Sequence, residues 1–171
     1  SGKTEASLIW AAKYLKQNNY SRIFYILPYT ASINAMYERL NKEEFAKDKI
    51  DLLHGKALTF YYNKAIENMD EKEIEENASE LNKKVFFKKL SARGIKNPIK
   101  ILTPHQILKN FYGVKGFETA FIQYHNALFI FDEIHCYDKE LLANLIAACS
   151  YIKNKLQGHF FIMSATFPKI M

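Results

Sequence analysis

The stretch ALFIFDEIH, residues 127–135, decides the fold class of this chain. Its opening run of five apolar residues predicts a strand buried on both faces, as in a parallel sheet. Asp132 and Glu133 follow at the carboxyl end of that strand, where open α/β sheets hold their ligands. A packed core does not account for this acidic pair, because an unpaired buried charge is costly. Chemistry on a magnesium-bound nucleotide does need such a pair, since one carboxylate holds the metal and the next orients the attacking water.

The composition indicates one domain with a sizeable core, since 49% of its 171 residues are apolar. No stretch approaches the length of a membrane span, and the chain does not open on a signal-peptide pattern. Cys136 and Cys149 form neither a disulfide framework nor a metal-binding pattern, so we expect a cytoplasmic protein without a membrane partner. The net charge of +6 is compatible with a polyanionic partner but does not identify one.

Strand and helix patterns alternate along the chain, which predicts an α/β fold with a parallel sheet. We expect strands at 22–27, 51–53, 99–102, 128–131 and 160–163. Helices are predicted at 5–16, at 30–40, at 140–152, from Thr103 onward, and in pieces through 57–93. An acidic-then-basic run inside 57–93 is typical of a solvated helix. The aromatic residues 60–62 are interpreted as core rather than as a stacking platform.

Ser1-Gly2-Lys3-Thr4 retains the last residues of a phosphate-binding loop, whose full pattern is G-x-x-x-x-G-K-[ST]. By itself this short match is equally typical of a helix start capped by Ser1 or Thr4. A helix follows it and the acidic pair lies downstream, which favours the phosphate loop. Lys3 would then reach the β- and γ-phosphates and Thr4 would hold magnesium. The backbone near Gly2 would cradle phosphate at the helix start.

The acidic pair and two nearby segments predict the catalytic and coupling residues. Asp132 is expected nearest the magnesium, and Glu133 is expected to polarise the attacking water. The alternative is that Asp132 caps a helix and Glu133 is solvated in its first turn. His135 is expected to link the nucleotide site to Ser164 and Thr166 on a neighbouring strand end. Otherwise His135 is a satisfied histidine and Ser164-Ala165-Thr166 is a turn of small residues.

Strand-to-helix junctions predict where a nucleic acid lies, because helix N-termini with hydroxyl groups bind phosphates without reading bases. Thr103-Pro104 has a cap residue followed by proline at the first helical position, with Gln106 at the capping-box position. Pro28-Tyr29-Thr30 precedes the second helix, with Thr30 as its expected cap. His54-Gly55-Lys56 is a third candidate. Simple helix capping without a ligand remains the alternative at the first two junctions.

Five short stretches, taken together, resemble successive motifs of superfamily 2 helicases: Gly2-Lys3-Thr4, Leu27-Pro28-Tyr29-Thr30, Thr103-Pro104, Asp132-Glu133-Ile134-His135 and Ser164-Ala165-Thr166. Three stretches look more narrowly like the CRISPR-associated helicase of type I systems. They are Leu27-Pro28-Tyr29-Thr30 with Ile33-Asn34-Ala35-Met36, His54-Gly55-Lys56, and FDEIHCYD at 131–138. The likeness covers nearly the whole chain and is weakest across 63–97, which we interpret as a variable helical insertion. It implies that residues 1–171 form the first RecA-like lobe, a three-layer P-loop NTPase domain.

The resemblance implies an ATP- and Mg²⁺-dependent motor that is stimulated by single-stranded DNA and acts in antiviral defence. It further implies an RNA-guided CRISPR surveillance complex and an HD-type nuclease as partners, with the nuclease either fused or separate. No His-Asp constellation of that nuclease type occurs in this sequence. Two alternatives stay open: another superfamily 2 motor, such as an RNA helicase or a restriction translocase, and a non-catalytic nucleotide- or nucleic-acid-binding module.

In this family the strand before the phosphate loop would precede Ser1, so we expect no neighbour on one side of the strand that ends at Met163. The second RecA-like lobe supplies arginines that complete the ATP site. We therefore expect the chain alone to hydrolyse ATP negligibly and to unwind nothing. A phosphate-release assay with and without single-stranded DNA tests this, and measurable DNA-stimulated turnover would overturn it.

Overall fold

Helices and strands alternate in the computed structural model, which describes residues 2–18, 22–44 and 46–165. The strands are β1 (Ile23–Ile26), β2 (Ile50–Leu53), β3 (Ile99–Leu102), β4 (Leu128–Phe131) and β5 (His159–Ile162). The helices are α1 (Lys3–Asn18), α2 (Thr30–Asn41), α3 (Ala57–Ile66), α4 (Glu71–Ser91), α5 (Pro104–Phe111), α6 (Phe117–Tyr124) and α7 (Lys139–Leu156). A short 3₁₀ turn, Ile134–Cys136, follows β4.

The five strands form one parallel sheet in the order β2-β3-β1-β4-β5, which confirms the predicted fold class. Every residue of β1 and β4 is buried, as expected for strands covered on both faces. Among the described residues β5 pairs only with β4, so it lies at one edge of the sheet. Its residues are half-buried or exposed. The predicted lack of a neighbour beside the strand leading to Met163 agrees with this position.

Side chains alternate between the two faces of the sheet and give the domain two cores. On one face, residues such as Tyr25 and Ile130 pack with α1, α2, α3 and α4. On the other, Phe24 and Phe129 stack with ring centroids 4.9 Å apart and pack with α5, α6 and α7. The result is the three-layer arrangement that the resemblance implied.

Several helix boundaries differ from the prediction, and α6 was not predicted at all. Asp138 caps α7 by accepting a hydrogen bond of 2.8 Å from the backbone N–H of Leu141. At the other end, Gln157 takes a left-handed conformation and Gly158 follows it. A Cβ on Gly158 would lie 2.4 Å from Ile152 Cγ2, so this closely packed helix end needs glycine. These end contacts lengthen α7 beyond the expected 140–152.

The segment 63–97 consists mainly of α4, which continues the crossover between β2 and β3. Asp70 and Glu73 form a reciprocal capping box at its start. Leu81 and Val85 are buried, while the opposite face is exposed to solvent. The nearby Tyr61 is buried in the core, which confirms that interpretation of the aromatic run. That the segment is variable between relatives stays a prediction.

A buried ion pair joins neighbouring strands of the sheet, and the sequence analysis did not predict it. Asp51 on β2 lies opposite Lys100 on β3, and the Lys100 Nζ–Asp51 Oδ2 distance is 3.2 Å. Lys100 Nζ also donates to the backbone carbonyls of Ala92, at 2.5 Å, and Gly94, at 2.8 Å. Burial lowers the pKa of Lys100, and the charge of Asp51 opposes that shift. The pair therefore fastens the turn after α4 to the sheet.

We predict that Asp51→Ala destabilises the domain by about 3–5 kcal/mol, because it leaves a buried ammonium group without its counter-charge. The double variant Asp51→Leu/Lys100→Met is expected to lose much less, because it removes both charges together. Urea unfolding of each variant measures these differences.

Lys84→Met is the control, since Lys84 pairs with Glu80 on the exposed face of α4. It should change the free energy of unfolding by less than about 1 kcal/mol. If Asp51→Ala cost no more than this control, the pair would not fasten the fold.

Candidate active site

The carboxyl ends of β1, β4 and β5 meet at one edge of the sheet and bring distant motifs together. The backbone N–H of Asp132 donates to Ile26 O at 2.9 Å, and that of Met163 donates to Phe131 O at 2.8 Å. The N–H of Ile134 donates to Met163 O at 3.2 Å, which ties the turn after β4 to the end of β5. The acidic pair and Ser164 are therefore held side by side by the backbone.

The start of α1 lies against the same edge. Lys3 Nζ donates to the backbone oxygen of Ser164 at 3.3 Å. The Tyr25 hydroxyl donates to Asp132 Oδ2 at 3.0 Å, and the Ser7 hydroxyl donates to the backbone oxygen of Thr4 at 2.8 Å. Gly2 opens the helix by accepting a bond of 2.9 Å from the N–H of Ala6. Lys3 and Thr4 thus border the same edge of the sheet as Asp132, which lies more than 120 residues further along the chain.

Asp132 is 9% exposed, and both its carboxylate oxygens have donors. Tyr25 binds Oδ2, and the N–H of Glu133 binds Oδ1 at 2.9 Å. Burial and the nearby charge of Asp132 raise the pKa of Tyr25, so its hydroxyl keeps the proton that it donates. Since Asp138 caps α7, the alternative that Asp132 caps the following helix is wrong.

Glu133 takes a left-handed backbone conformation, with φ 53° and ψ 42°, which non-glycine residues adopt at a cost. Its side chain is 41% exposed at the mouth of the site. Glu133 Oε2 lies 3.2 Å from His135 Nδ1. The backbone turn therefore holds this carboxylate beside the edge of the sheet and toward solvent.

His135 Nδ1 contacts residues that follow β4 and residues that follow β5. It lies 3.5 Å from Ser164 Oγ, and it accepts the N–H of Ala165 at 3.4 Å. With a proton, Nδ1 can donate to Glu133; without one, it can accept from Ala165 or Ser164. His135 is thus placed as the predicted link requires, although its coupling role stays a prediction. Thr166 lies outside the described residues.

The two main nucleic-acid junctions are only partly built as predicted. Thr103 occupies the cap position of α5 and Pro104 is buried at its first position, but the Thr103 side chain makes no capping bond. Thr30 is wrong as a cap, because Tyr29 occupies that position and Thr30 is already helical. Neither hydroxyl is used to cap its helix, and Pro28 and Thr30 are half-buried at the surface. Contacts of these residues with nucleic acid stay predictions.

Tyr29, in the junction at 28–30, has its pKa perturbed by a residue of the turn after β4. It is 57% exposed, and a side-chain hydrogen bond with Cys136 raises the pKa of Tyr29. The pKa shift of Tyr29 thus indicates a neighbour in the same turn that carries Glu133 and His135.

His54 differs from its prediction, because its ring points into the protein. It is 4% exposed, its Nε2 lies 2.9 Å from Asn34 Oδ1, and its Nδ1 accepts the N–H of Lys56 at 3.1 Å. Burial lowers the pKa of His54, which favours the neutral ring. With both nitrogens used internally, the ring orders the turn, and only Gly55 and Lys56 of that stretch are exposed.

Sequence reasoning missed Tyr25 and Ser7, which are both fully buried: Tyr25 contacts Asp132, and Ser7 contacts Thr4. A signal was present for Tyr25, because a tyrosine within a buried strand must find a partner for its hydroxyl. The identity of that partner depends on β1 lying next to β4, which the sequence pattern does not specify.

Comparison with known proteins gives a consistent result. A family profile described as DEAD/DEAH box helicase matches residues 1–171. The putative CRISPR-associated nuclease/helicase Cas3 of Methanocaldococcus jannaschii is 34% identical over 173 residues, covering 99% of this chain and 22% of that protein. The CRISPR-associated nuclease/helicase Cas3 of Methanothermobacter thermautotrophicus is 31% identical over 170 residues, covering 98% of this chain and 18% of that protein.

The CRISPR-associated endonuclease/helicase Cas3 of Escherichia coli is also similar, at 26% identity over 98% of this chain and 19% of that protein. This chain spans about a fifth of the length of these curated relatives. No solved structure matches it. Across the described residues, no helix has the length and apolar character to cross a membrane.

We predict that Glu133→Gly is more stable than Glu133→Ala by about 1 kcal/mol, because only glycine adopts the left-handed conformation without strain. Both variants remove the contact with His135, so their difference isolates the backbone. Chemical unfolding of the two proteins measures it.

Glu76, exposed in α4, provides the matched pair. There Glu76→Gly should be less stable than Glu76→Ala by about 0.5–1 kcal/mol, the usual helical order. The same order at position 133 would show that the turn is not strained.

Proposed function

Because this chain belongs to the DEAD/DEAH box helicase family, whose domains bind a nucleotide and nucleic acid, we propose that it is the ATP-binding lobe of an ATP-dependent DNA helicase. The intact protein would couple ATP hydrolysis to movement along single-stranded DNA. The observation that carries the proposal is the bond from Lys3 Nζ to the backbone oxygen of Ser164, together with the Asp132 carboxylate that Tyr25 holds at the end of β4. It supports a single site for phosphate and metal between α1 and β4.

The side chains at this site suit a magnesium-bound triphosphate. Mg²⁺ prefers oxygen ligands and is usually held by one or two protein groups together with phosphates and water. Thr4 offers a hydroxyl oxygen and Asp132 a carboxylate, which fits that preference. Within the described ranges no group of three or more His, Cys, Asp or Glu side chains is arranged to hold a metal. Phosphate and water would therefore complete the coordination.

Each residue then has a specific task. Lys3 binds the β- and γ-phosphates by its ammonium group, and the backbone around Gly2 binds phosphate at the start of α1. Thr4 and Asp132 hold Mg²⁺, which would reduce the negative charge that opposes attack on the γ-phosphate. Glu133 orients the attacking water and accepts its proton. Its partly exposed position lets it reach a water at the mouth of the site.

His135 provides a route from the nucleotide to the rest of the lobe. When Glu133 gains a proton, the balance of hydrogen bonds at His135 Nδ1 shifts between Glu133 on one side and the Ser164 hydroxyl and Ala165 N–H on the other. Ser164, and Thr166 beyond it, would pass that change onward. Tyr29 couples the same turn to the junction at Pro28 and Thr30, where the DNA backbone would lie. Thr103 and Pro104 would supply the second backbone contact.

The relatives favour the CRISPR-associated helicase over other superfamily 2 motors. The three curated relatives are all named as CRISPR-associated nuclease/helicase or endonuclease/helicase proteins. We therefore place the intact protein in antiviral defence in the cytoplasm, acting on DNA selected by an RNA-guided surveillance complex. An HD nuclease would cut that DNA as a fused or separate partner.

We predict that Glu133→Gln in the full-length protein lowers the turnover number for ATP at least 100-fold while ATP still binds, because only the base for water is lost. Lys3→Ala should instead abolish nucleotide binding. Phosphate release and the binding of a fluorescent ATP analogue measure the two effects.

Glu140→Gln, the same chemical change at an exposed position of α7, should leave both quantities unchanged. Stimulation by single-stranded DNA well above that by RNA is expected. Equal or greater stimulation by RNA would favour an RNA helicase, and normal turnover by Glu133→Gln would favour a non-catalytic module.

A further inference from the structure

Tyr25 carries a polar group within a strand whose residues are all buried. It is 0% exposed, and its neighbours on β1, Phe24 and Ile26, are apolar and buried. Its ring packs in the core on the face covered by α1 and α2. Phenylalanine would fill the same volume without a hydroxyl to satisfy. The hydroxyl therefore is not needed to fill the core.

The hydroxyl lies between the phosphate-loop helix and the acidic pair. It donates to Asp132 Oδ2 at 3.0 Å. Ser7 is fully buried and its hydroxyl donates to the backbone oxygen of Thr4 at 2.8 Å. The Tyr25 hydroxyl thus holds one of the two residues to which the proposed function assigns the metal, and the Ser7 hydroxyl orders the backbone of the other.

We propose that Tyr25 is a positioning residue for the magnesium site, whose hydroxyl fixes the orientation of the Asp132 carboxylate. This inference rests on the proposed function, because it concerns the metal that Thr4 and Asp132 would share. Tyr25 itself holds neither metal nor nucleotide. It acts through Asp132.

The geometry of Asp132 explains why one hydroxyl matters. The N–H of Glu133 holds Oδ1, and Tyr25 holds Oδ2, so the two bonds together set the plane of the carboxylate. Without the hydroxyl, only the bond to Oδ1 remains and the carboxylate can turn about it. Partners that orient a metal ligand typically change metal affinity 10- to 100-fold when they are removed. The nucleotide contacts of Lys3 do not depend on this network.

The test uses the full-length protein with Glu133→Gln, so that bound ATP is not consumed. Mg²⁺ is titrated into a fluorescent ATP analogue at fixed protein concentration, and the half-saturating Mg²⁺ concentration is recorded. We expect Tyr25→Phe to raise that concentration at least 10-fold. Binding of the analogue in EDTA should stay within 2-fold, because phosphate contacts are intact.

Tyr61→Phe is the matched control, since Tyr61 is also buried and its hydroxyl accepts the N–H of Leu52 at 3.0 Å, away from Asp132. It should leave the Mg²⁺ titration unchanged even where it lowers the melting temperature. An unchanged titration for folded Tyr25→Phe, or an equal shift for Tyr61→Phe, would overturn the proposal. If Tyr25→Phe does not fold, Tyr25→Met, which also lacks the hydroxyl and adapts to the core, should shift the titration in the same direction, and no shift would overturn the proposal.

The variants Lys3→Ala and Tyr25→Phe separate the role of Tyr25 from the location of the nucleotide site. If Lys3→Ala binds the analogue as tightly as the unchanged protein at saturating Mg²⁺, the nucleotide site itself is wrong. If Lys3→Ala abolishes binding while Tyr25→Phe titrates normally, the site is right and Tyr25 does not position Asp132.

Discussion

The parallel register of β4 between β1 and β5 is the constraint on which the rest of the site depends. Phe131 pairs with Ile26 on one side and with Ile162 on the other, so all three strands end at the same level. The residues that follow them must then share one edge of the sheet. This places Asp132 beside the end of β1 and Ser164 beside the turn after β4. Because α1 packs over the same strands, its first residues reach that edge as well.

Polar groups at this edge are held firmly near the core and loosely toward solvent. Asp132 is buried with a hydrogen-bond donor on each carboxylate oxygen. Glu133 and His135 are partly exposed, and they contact each other only through His135 Nδ1. A fixed metal ligand beside a movable proton acceptor suits a site that must bind in one geometry and then react. The left-handed turn at Glu133 fits the same division, since strain tolerated at a functional position is stabilised by the packing around it. The buried Asp51–Lys100 pair lies away from this edge and serves the fold instead.

Local patterns predicted the elements well, and contacts between distant elements set the limit. The bounds of β3 and β4 agree with the prediction to the residue, because each strand is followed by a polar residue, Thr103 and Asp132 respectively. The motif residues Lys3 and Asp132 were also predicted to converge, since the end of each parallel strand was readable. The partners of Tyr25, His54 and Lys100 were not predictable, because each lies on another element whose position only the folded sheet determines. A buried polar side chain announces that it needs a partner but not which one.

The most direct test of the account is a crystal structure of the full-length protein with a non-hydrolysable ATP analogue and Mg²⁺. We expect Lys3 Nζ within hydrogen-bonding distance of the terminal phosphates, with Thr4 and Asp132 directed at the same ion. A nucleotide bound elsewhere, or an ion that Asp132 contacts neither directly nor through one water, would contradict the account.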